Sequence, residues 1–297
     1  MQRDTSLVST PSLAGGVRAF ARLRAFVRGS PIGAVGGAIG LIMLLTAILA
    51  PVIAPQDPYR INYDRLFAPP GARFLLGSDE FGRDVLSRVI YGARISLYVA
   101  VLSVVLGQAG GAVFGIISGY FGGRTDMLIQ RVMDTFMSLP ALVLALAIVA
   151  ALGPSVNNVV LAIGIVQVPR AARVMRSAAL MVRANQYVEA ARAVGCTHGR
   201  VLLRHVLPNC AAPFIIIATA ALGIAILTEG SLSFLGLGTP PPTPSWGSML
   251  SGAGLQYAEK APWLGVFPGL AMTMAVFGFN LLGDALRDAF DPRMRQR

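Results

Sequence analysis

Lysine is almost missing from this chain: Lys260 is the sole example among 297 residues. A phosphate-binding P-loop needs Gly-Lys-Ser/Thr, because its lysine reaches the terminal phosphates of a nucleotide. Lys260 sits instead in Ala258-Glu259-Lys260-Ala261, so the chain holds no such loop. Cysteine and histidine are scarce too. Cys196 and Cys210 form no CxxC pair, and His198 and His205 have no carboxylate or second cysteine placed to complete four zinc ligands. No GxSxG elbow or HExxH helix is present. The net charge is +11, yet neither an aromatic-interleaved basic patch nor zinc-finger spacing accompanies it, so nucleic acid is not an expected partner. Catalysis, a resident metal and a bound cofactor are likewise not expected of this chain.

Charge itself is thin. Only 13% of residues are charged, about half the share of a soluble domain, while 55% are hydrophobic and the mean hydropathy is +0.65. A spanning helix needs about 20 apolar residues. Residues 32–54 and 95–123 carry no charge, and the uncharged stretch 135–169 is long enough for two helices, broken by Gly153-Pro154-Ser155-Val156-Asn157-Asn158. The pattern predicts an all-α membrane protein with six spans near 32–54, 95–118, 132–152, 158–176, 211–234 and 263–284. Arginine gives the orientation, because positive flanks are retained in the cytoplasm. The tail before the first span (five), the 118–134 turn (two), the 170–209 loop (seven) and the C-terminal tail (four) hold 18 of the 25 basic residues. The arginines of the 54–95 segment are nearly matched by Asp57, Asp64, Asp79, Glu80 and Asp84. Both termini are therefore expected to be cytoplasmic. The first apolar run is too long for a cleaved signal peptide and is read as a retained helix.

The 170–209 loop has its own pattern. Residues 183–194 favour a helix, with Tyr187, Ala190, Ala191 and Val194 on one side. Gly195 stands where helices end in a left-handed residue. Thr197 can cap a second short helix carrying Val201, Leu202, His205 and Val206, which Pro208 is expected to stop. Small Ala190 and Ala191 admit close approach by a partner, rimmed by Glu189, Arg192, Arg200 and Arg204. An amphipathic helix lying on the bilayer would show the same pattern, so these residues alone leave two readings open.

Glu189-Ala190-Ala191, Gly195 and Leu207-Pro208 resemble, at the same spacing, the EAA loop of ABC-importer inner-membrane permeases. In that family the loop forms a coupling helix that inserts into a groove on the ATPase subunit. His205 replaces the usual isoleucine, as in the dipeptide/oligopeptide/nickel branch. Leu76-Gly77-Ser78-Asp79-Glu80-Phe81-Gly82-Arg83-Asp84, Tyr91-Gly92-Ala93-Arg94, Leu232-Ser233-Phe234-Leu235-Gly236-Leu237-Gly238 and Pro244-Ser245-Trp246-Gly247 resemble the same branch, most of all its C-type permease. The resemblance covers the chain from about residue 28. It implies a type I importer core after an extra N-terminal helix: a tail to residue 30, a first span at 31–54, an external loop at 55–94, a permease domain at 95–286 with the coupling loop at 177–209, and a tail at 287–297. It also implies two ATPase subunits holding ATP and Mg, a second related permease, an external substrate-binding protein, and a place in the bacterial inner membrane. Glu189, Ala190, Ala191, Gly195, His205, Leu207 and Pro208 become coupling residues by this resemblance. An ion-gradient transporter is the alternative; it calls for mid-membrane charge relays and often internal repeats.

Other expectations come from the residues directly. Phe81, Val85, Leu86, Val89, Ile90 and Ala93 predict an amphipathic helix before the second span, with Arg83, Asp84 and Arg88 on its open face. It suits the outer interface, a receptor or a second permease. Trp246 and Trp263 are read as interface anchors, with stacking on substrate as the alternative. Glu229, inside the fifth span, is a candidate for the translocation path because charge in hydrocarbon costs about 3 kcal/mol or more unless paired or hydrated; pairing with another subunit and reaching external water are the other readings. Arg131 and Asp134 are placed to pair along one helix. Gly107, Gly110, Gly111, Gly115 and Gly119 predict tight helix packing.

Overall fold

In the computed structural model, residues 30–290 are described. The arginine-rich tail before Ser30 and residues 291–297 lie outside them. Ser30 opens helix α1 (Pro31–Ile53): its hydroxyl accepts the Gly33 N–H at 3.3 Å, and Pro31 takes the first helical position, where an N–H is not needed. The helix is apolar all round. Gly36, Gly40, Ala47 and Ala50 are buried, whereas Leu41, Ile42, Ile48 and Leu49 face outward, as suits a lipid-facing span.

Helix α2 (Val85–Phe121) is unbroken over 37 residues, or about 55 Å. The separate interfacial helix expected before the second span is therefore the first part of the span itself. Asp84 caps it by accepting the Ser87 N–H at 2.8 Å and the Ser87 hydroxyl at 2.6 Å. The third span, expected as one helix, is two: α3 (Gly123–Met137) and α4 (Ala141–Leu152), bent by 86°. Pro140 lacks an N–H and drives Leu139 out of helical geometry, which accounts for the break.

Helix α5 (Val156–Arg183) runs past its expected end and takes Arg170 and Arg173 into its length. Then come α6 (Gln186–Ala193) and α7 (His198–Val201), the latter continuing through a π turn (Leu202–Val206) and Leu207–Asn209 into α8 (Ala211–Phe234). Two short helices, α9 (Trp246–Leu250) and α10 (Ala253–Gln256), precede α11 (Trp263–Phe290). Among the described residues five helices are long and apolar enough to cross a membrane, and the bent α3–α4 pair meets the same test when its two helices are taken together. Among the described residues the only β pairing is an isolated bridge, Ser78 to Asp84.

The core forms where α2 and α5 lie side by side. A Cβ on Gly107 would stand 2.7 Å from the Gln167 Cβ and the Gly164 carbonyl, and one on Gly119 would stand 2.6 Å from the Arg176 carbonyl. Only glycine lets the two backbones approach this closely. Asp134 does not pair with Arg131 as expected. It accepts from Arg173 of α5 at 2.8 Å, a half-exposed contact worth little by itself. Asp126 makes the more enclosed link: Arg176 Nε and Nη2 donate to it at 2.6 and 2.5 Å and the Ser118 hydroxyl at 2.5 Å, joining α3, α5 and α2.

Candidate coupling site

The α6–α7 segment closes one end of the bundle. Asn185 makes the corner: its side-chain amide donates to the Met181 and Val182 carbonyls at 3.2 Å, satisfying the end of α5, while its backbone carbonyl accepts the first α6 bonds. Val188, Val201, Val206 and Cys210 are fully buried and pack with Tyr120 of α2 and with Met175 and Ala179 of α5. That apolar footing fixes the segment to the bundle. Its other side is open: Tyr187, Glu189, Ala190 and Val194 are exposed, Val194 at 81% and Leu203 at 70%.

Gly195 ends α6 at φ +85°. Its N–H reaches the Arg192 carbonyl at 2.9 Å and that of Cys196 reaches the Ala191 carbonyl at 3.0 Å, the paired bonds of a Schellman cap. Nothing lies within 4 Å of a Cβ built there, so backbone conformation alone demands glycine. Thr197 caps α7, accepting the Arg200 N–H at 3.5 Å.

Two details differ from the sequence reading. Ala191 is half-buried and packs inward with Val188, leaving Ala190 as the small residue on the open face. Nor does Pro208 stop the helix. The π turn shifts the backbone ladder so that the Leu207 N–H bonds the Leu202 carbonyl, and the Asn209 side chain donates to the His205 carbonyl at 2.6 Å. The helix thus keeps bonded carbonyls on either side of the gap that the missing proline N–H leaves. His205 is half-buried beside Tyr187, ring centres 6.1 Å apart, while Leu207 and Pro208 are exposed.

Tyr120, which the sequence reading passed over, ties this segment to α2 through His198 and Arg192. The Tyr120 hydroxyl lies 3.0 Å from His198 Nδ1, and the Arg192 guanidinium lies 4.9 Å over the Tyr120 ring. Only the position of Tyr120 at the end of a glycine-lined helix hinted at such a role.

The opposite end is built from buried polarity. Glu229 is 0% exposed, so its surroundings oppose the translocation-path reading. The Ser233 hydroxyl donates to it at 2.7 Å and the Ser96 hydroxyl at 3.0 Å; the Ser96 oxygen in turn accepts the Trp246 N–H at 3.2 Å. The carboxyl thus joins α8, α2 and α9. Trp246 is 1% exposed with its indole N–H on the Val89 carbonyl at 3.0 Å, and Trp263 donates to the Ser78 carbonyl at 3.0 Å. The interface-anchor reading of Trp246 gives way to a core role. Arg83, Asp84 and Arg88, expected on an open face, are also buried. Asp79 draws the two arginines in, Arg83 Nε standing 2.6 Å and Arg88 Nε 3.4 Å from the same carboxylate oxygen, while Asp84 is held by Ser87 as the α2 cap. Arg88 also donates to the Pro58 carbonyl at 3.1 Å. Beside them, burial followed by the Asp79 charge raises the Glu80 carboxyl above its ordinary range.

Comparison with known proteins bears on both ends. Residues 111–296 match the family described as binding-protein-dependent transport system inner membrane component. Residues 23–70 match the N-terminal TM domain of oligopeptide transport permease C. A di/tripeptide transport system permease protein of Pseudomonas aeruginosa (strain UCBPP-PA14) is 45% identical, covering 89% of each chain. A dipeptide transport system permease protein of Alkalihalophilus pseudofirmus is 43% identical over 86% of each. A glutathione transport system permease protein of Pectobacterium atrosepticum is 38% identical over 92% of this chain and 90% of its own. With an all-helical fold, several membrane-crossing helices and these matches across most of its length, the chain belongs to the family of binding-protein-dependent transport system inner membrane components.

Proposed function

We propose that this chain is one permease half of an importer for short peptides, powered by separate ATPase subunits that dock on the α6–α7 segment. The observation that carries the coupling is the two-sided build of that segment: valines anchored in the bundle and an open face of Tyr187, Glu189, Ala190 and Val194. The arginine distribution supports a cytoplasmic position for this end, with both termini on the same side and the α9 end outside. The peptide assignment rests on the relatives. Their names span dipeptides, tripeptides and glutathione, so selection among peptides is assigned to the external binding protein.

In this scheme, ATP and Mg are held by two ATPase subunits, and their closure draws the docked segments together. A second, related permease supplies the facing wall of the path. The α6–α7 footing on α2 and α5 passes the displacement into the spans, and rigid-body tilting exchanges inward for outward access. Tyr120, His198 and Arg192 stiffen the junction through which the movement passes. Because Glu229 is spent inside the bundle, the ion-relay alternative gains no support from it.

The test uses Glu189→Arg and Gly195→Pro in the full complex. Both variants should fold and insert, yet substrate-stimulated ATPase activity should fall at least tenfold. Unchanged stimulation in both would refute docking at this segment.

A further inference from the structure

A polar pair sits deep within the apolar core. Gln108 of α2 is 4% exposed and donates from Nε2 to Gln167 Oε1 of α5 at 3.1 Å. This leaves one acceptor and one donor over: among the described residues, buried Gln108 Oε1 and Gln167 Nε2 have no hydrogen-bond partner. Uncompensated burial of such groups costs about 1–3 kcal/mol each. Gln167 lies 11 residues into α5, roughly 17 Å from its start and well within a hydrocarbon layer about 30 Å thick. Glycine at 107, which alone lets α2 close on Gln167, is what brings the two amides together.

Both glutamines line a cleft of about 170 Å³ between α5 and α8. Its walls are mainly apolar, among them Ile217 and Ile224, with Thr228 and Arg170 as further polar groups. The Thr228 hydroxyl is already committed to the Ile224 carbonyl at 2.8 Å. Arg170 is exposed, makes no ion pair among the described residues, and follows Gln167 by three positions, which puts the two on one face of α5.

We infer that Gln108 and Gln167 form a transit subsite for the peptide bond of the substrate, with Arg170 meeting its terminal carboxylate. Both free atoms are buried in this state, so they meet the peptide as α5 and α8 part during transit: the oxygen then accepts a substrate N–H and the nitrogen donates to a substrate carbonyl. These groups are common to every peptide, so the subsite reads the backbone and ignores side chains. A pair of neutral hydrogen bonds also suits a passing substrate, since each holds with only about 1 kcal/mol net. The inference rests on the peptide reading above.

The experiment reconstitutes the whole complex with its binding protein in liposomes and follows uptake of alanyl-alanine and of its N-methylated analogue alanyl-N-methylalanine, for wild type, Gln108→Leu and Gln167→Leu. The binding protein is the same in every sample, so a change in the uptake ratio between the two peptides belongs to the permease. Wild type should prefer alanyl-alanine, and the leucine variants should lose about tenfold of its uptake and most of that preference, with complex yield and basal ATPase activity retained. An unchanged ratio in the variants, or loss of uptake in step with loss of assembled complex, would overturn the subsite and assign the pair to helix packing or to the second permease. Failure of the wild-type complex to import either peptide would overturn the peptide reading itself and this inference with it.

Discussion

The two ends of the bundle solve opposite problems. At the α9 end, polar and charged groups are taken inside: Glu229 among Ser96 and Ser233, Trp246 against Val89, and Asp79 between Arg83 and Arg88. At the α6 end, polar bonds serve the backbone through the Asn185 corner and the Gly195 cap, and small and apolar side chains are left outside. The first arrangement yields a rigid cap whose contacts are complete within one chain. The second yields a surface whose backbone is finished but whose apolar residues stay exposed, as the proposed docking requires.

If that contrast is sound, the largest stability loss should come from the α9 end. Trp246→Ala should lower unfolding stability by about 3–5 kcal/mol, because a buried aromatic is deleted and its cavity cannot fully collapse. Thermal unfolding of the purified chain in detergent reads this directly, and a shift within error would mean that the cap is not part of the cooperative core. Arg83→Met should cost somewhat less, about 3 kcal/mol, by leaving the buried Asp79 with only the more distant Arg88. Equal stability to wild type would show that water reaches this network.

At the α6 end the same measurement should barely move. Tyr120→Phe removes one hydrogen bond to His198, worth about 1 kcal/mol, and keeps the ring beneath Arg192. Its signature should be looser coupling, with more ATP hydrolysed per substrate imported. A stability loss as large as that of Trp246→Ala would erase the distinction between the two ends.

The smallest effect concerns pH. Because Glu80 is raised in the folded protein, folding binds extra proton there. Its contribution is fully present below the ordinary glutamate range and is lost as pH rises through the higher folded value. Glu80→Gln should abolish that loss, flattening the stability profile across the window and leaving the slope on its alkaline side unaltered. An unflattened profile would mean that the carboxyl is solvated.

Much of this architecture was legible because membrane helices announce themselves by length and apolarity. α1 and α8 fall close to the expected 32–54 and 211–234. The glycine series of α2 packs as its spacing requires, and Gly195 was readable because its role is local. What stayed hidden depends on distant partners. Arg83 and Arg88 look like an exposed helical face until Asp79 folds back on them. Glu229 looks like a path residue until serines from its own helix and from α2 arrive beside it. Pro208 reads as a stop because sequence periodicity does not show a π turn that can accommodate it.

The central claim is that the open face of α6 meets an ATPase subunit. A photo-crosslinking amino acid placed at Val194 in the native membrane tests it, with Leu41 on the outer face of α1 as control. Position 194 should crosslink to a P-loop ATPase and position 41 to lipid. A lipid adduct at 194, with no ATPase product, would contradict it and leave α6 as a helix lying on the bilayer.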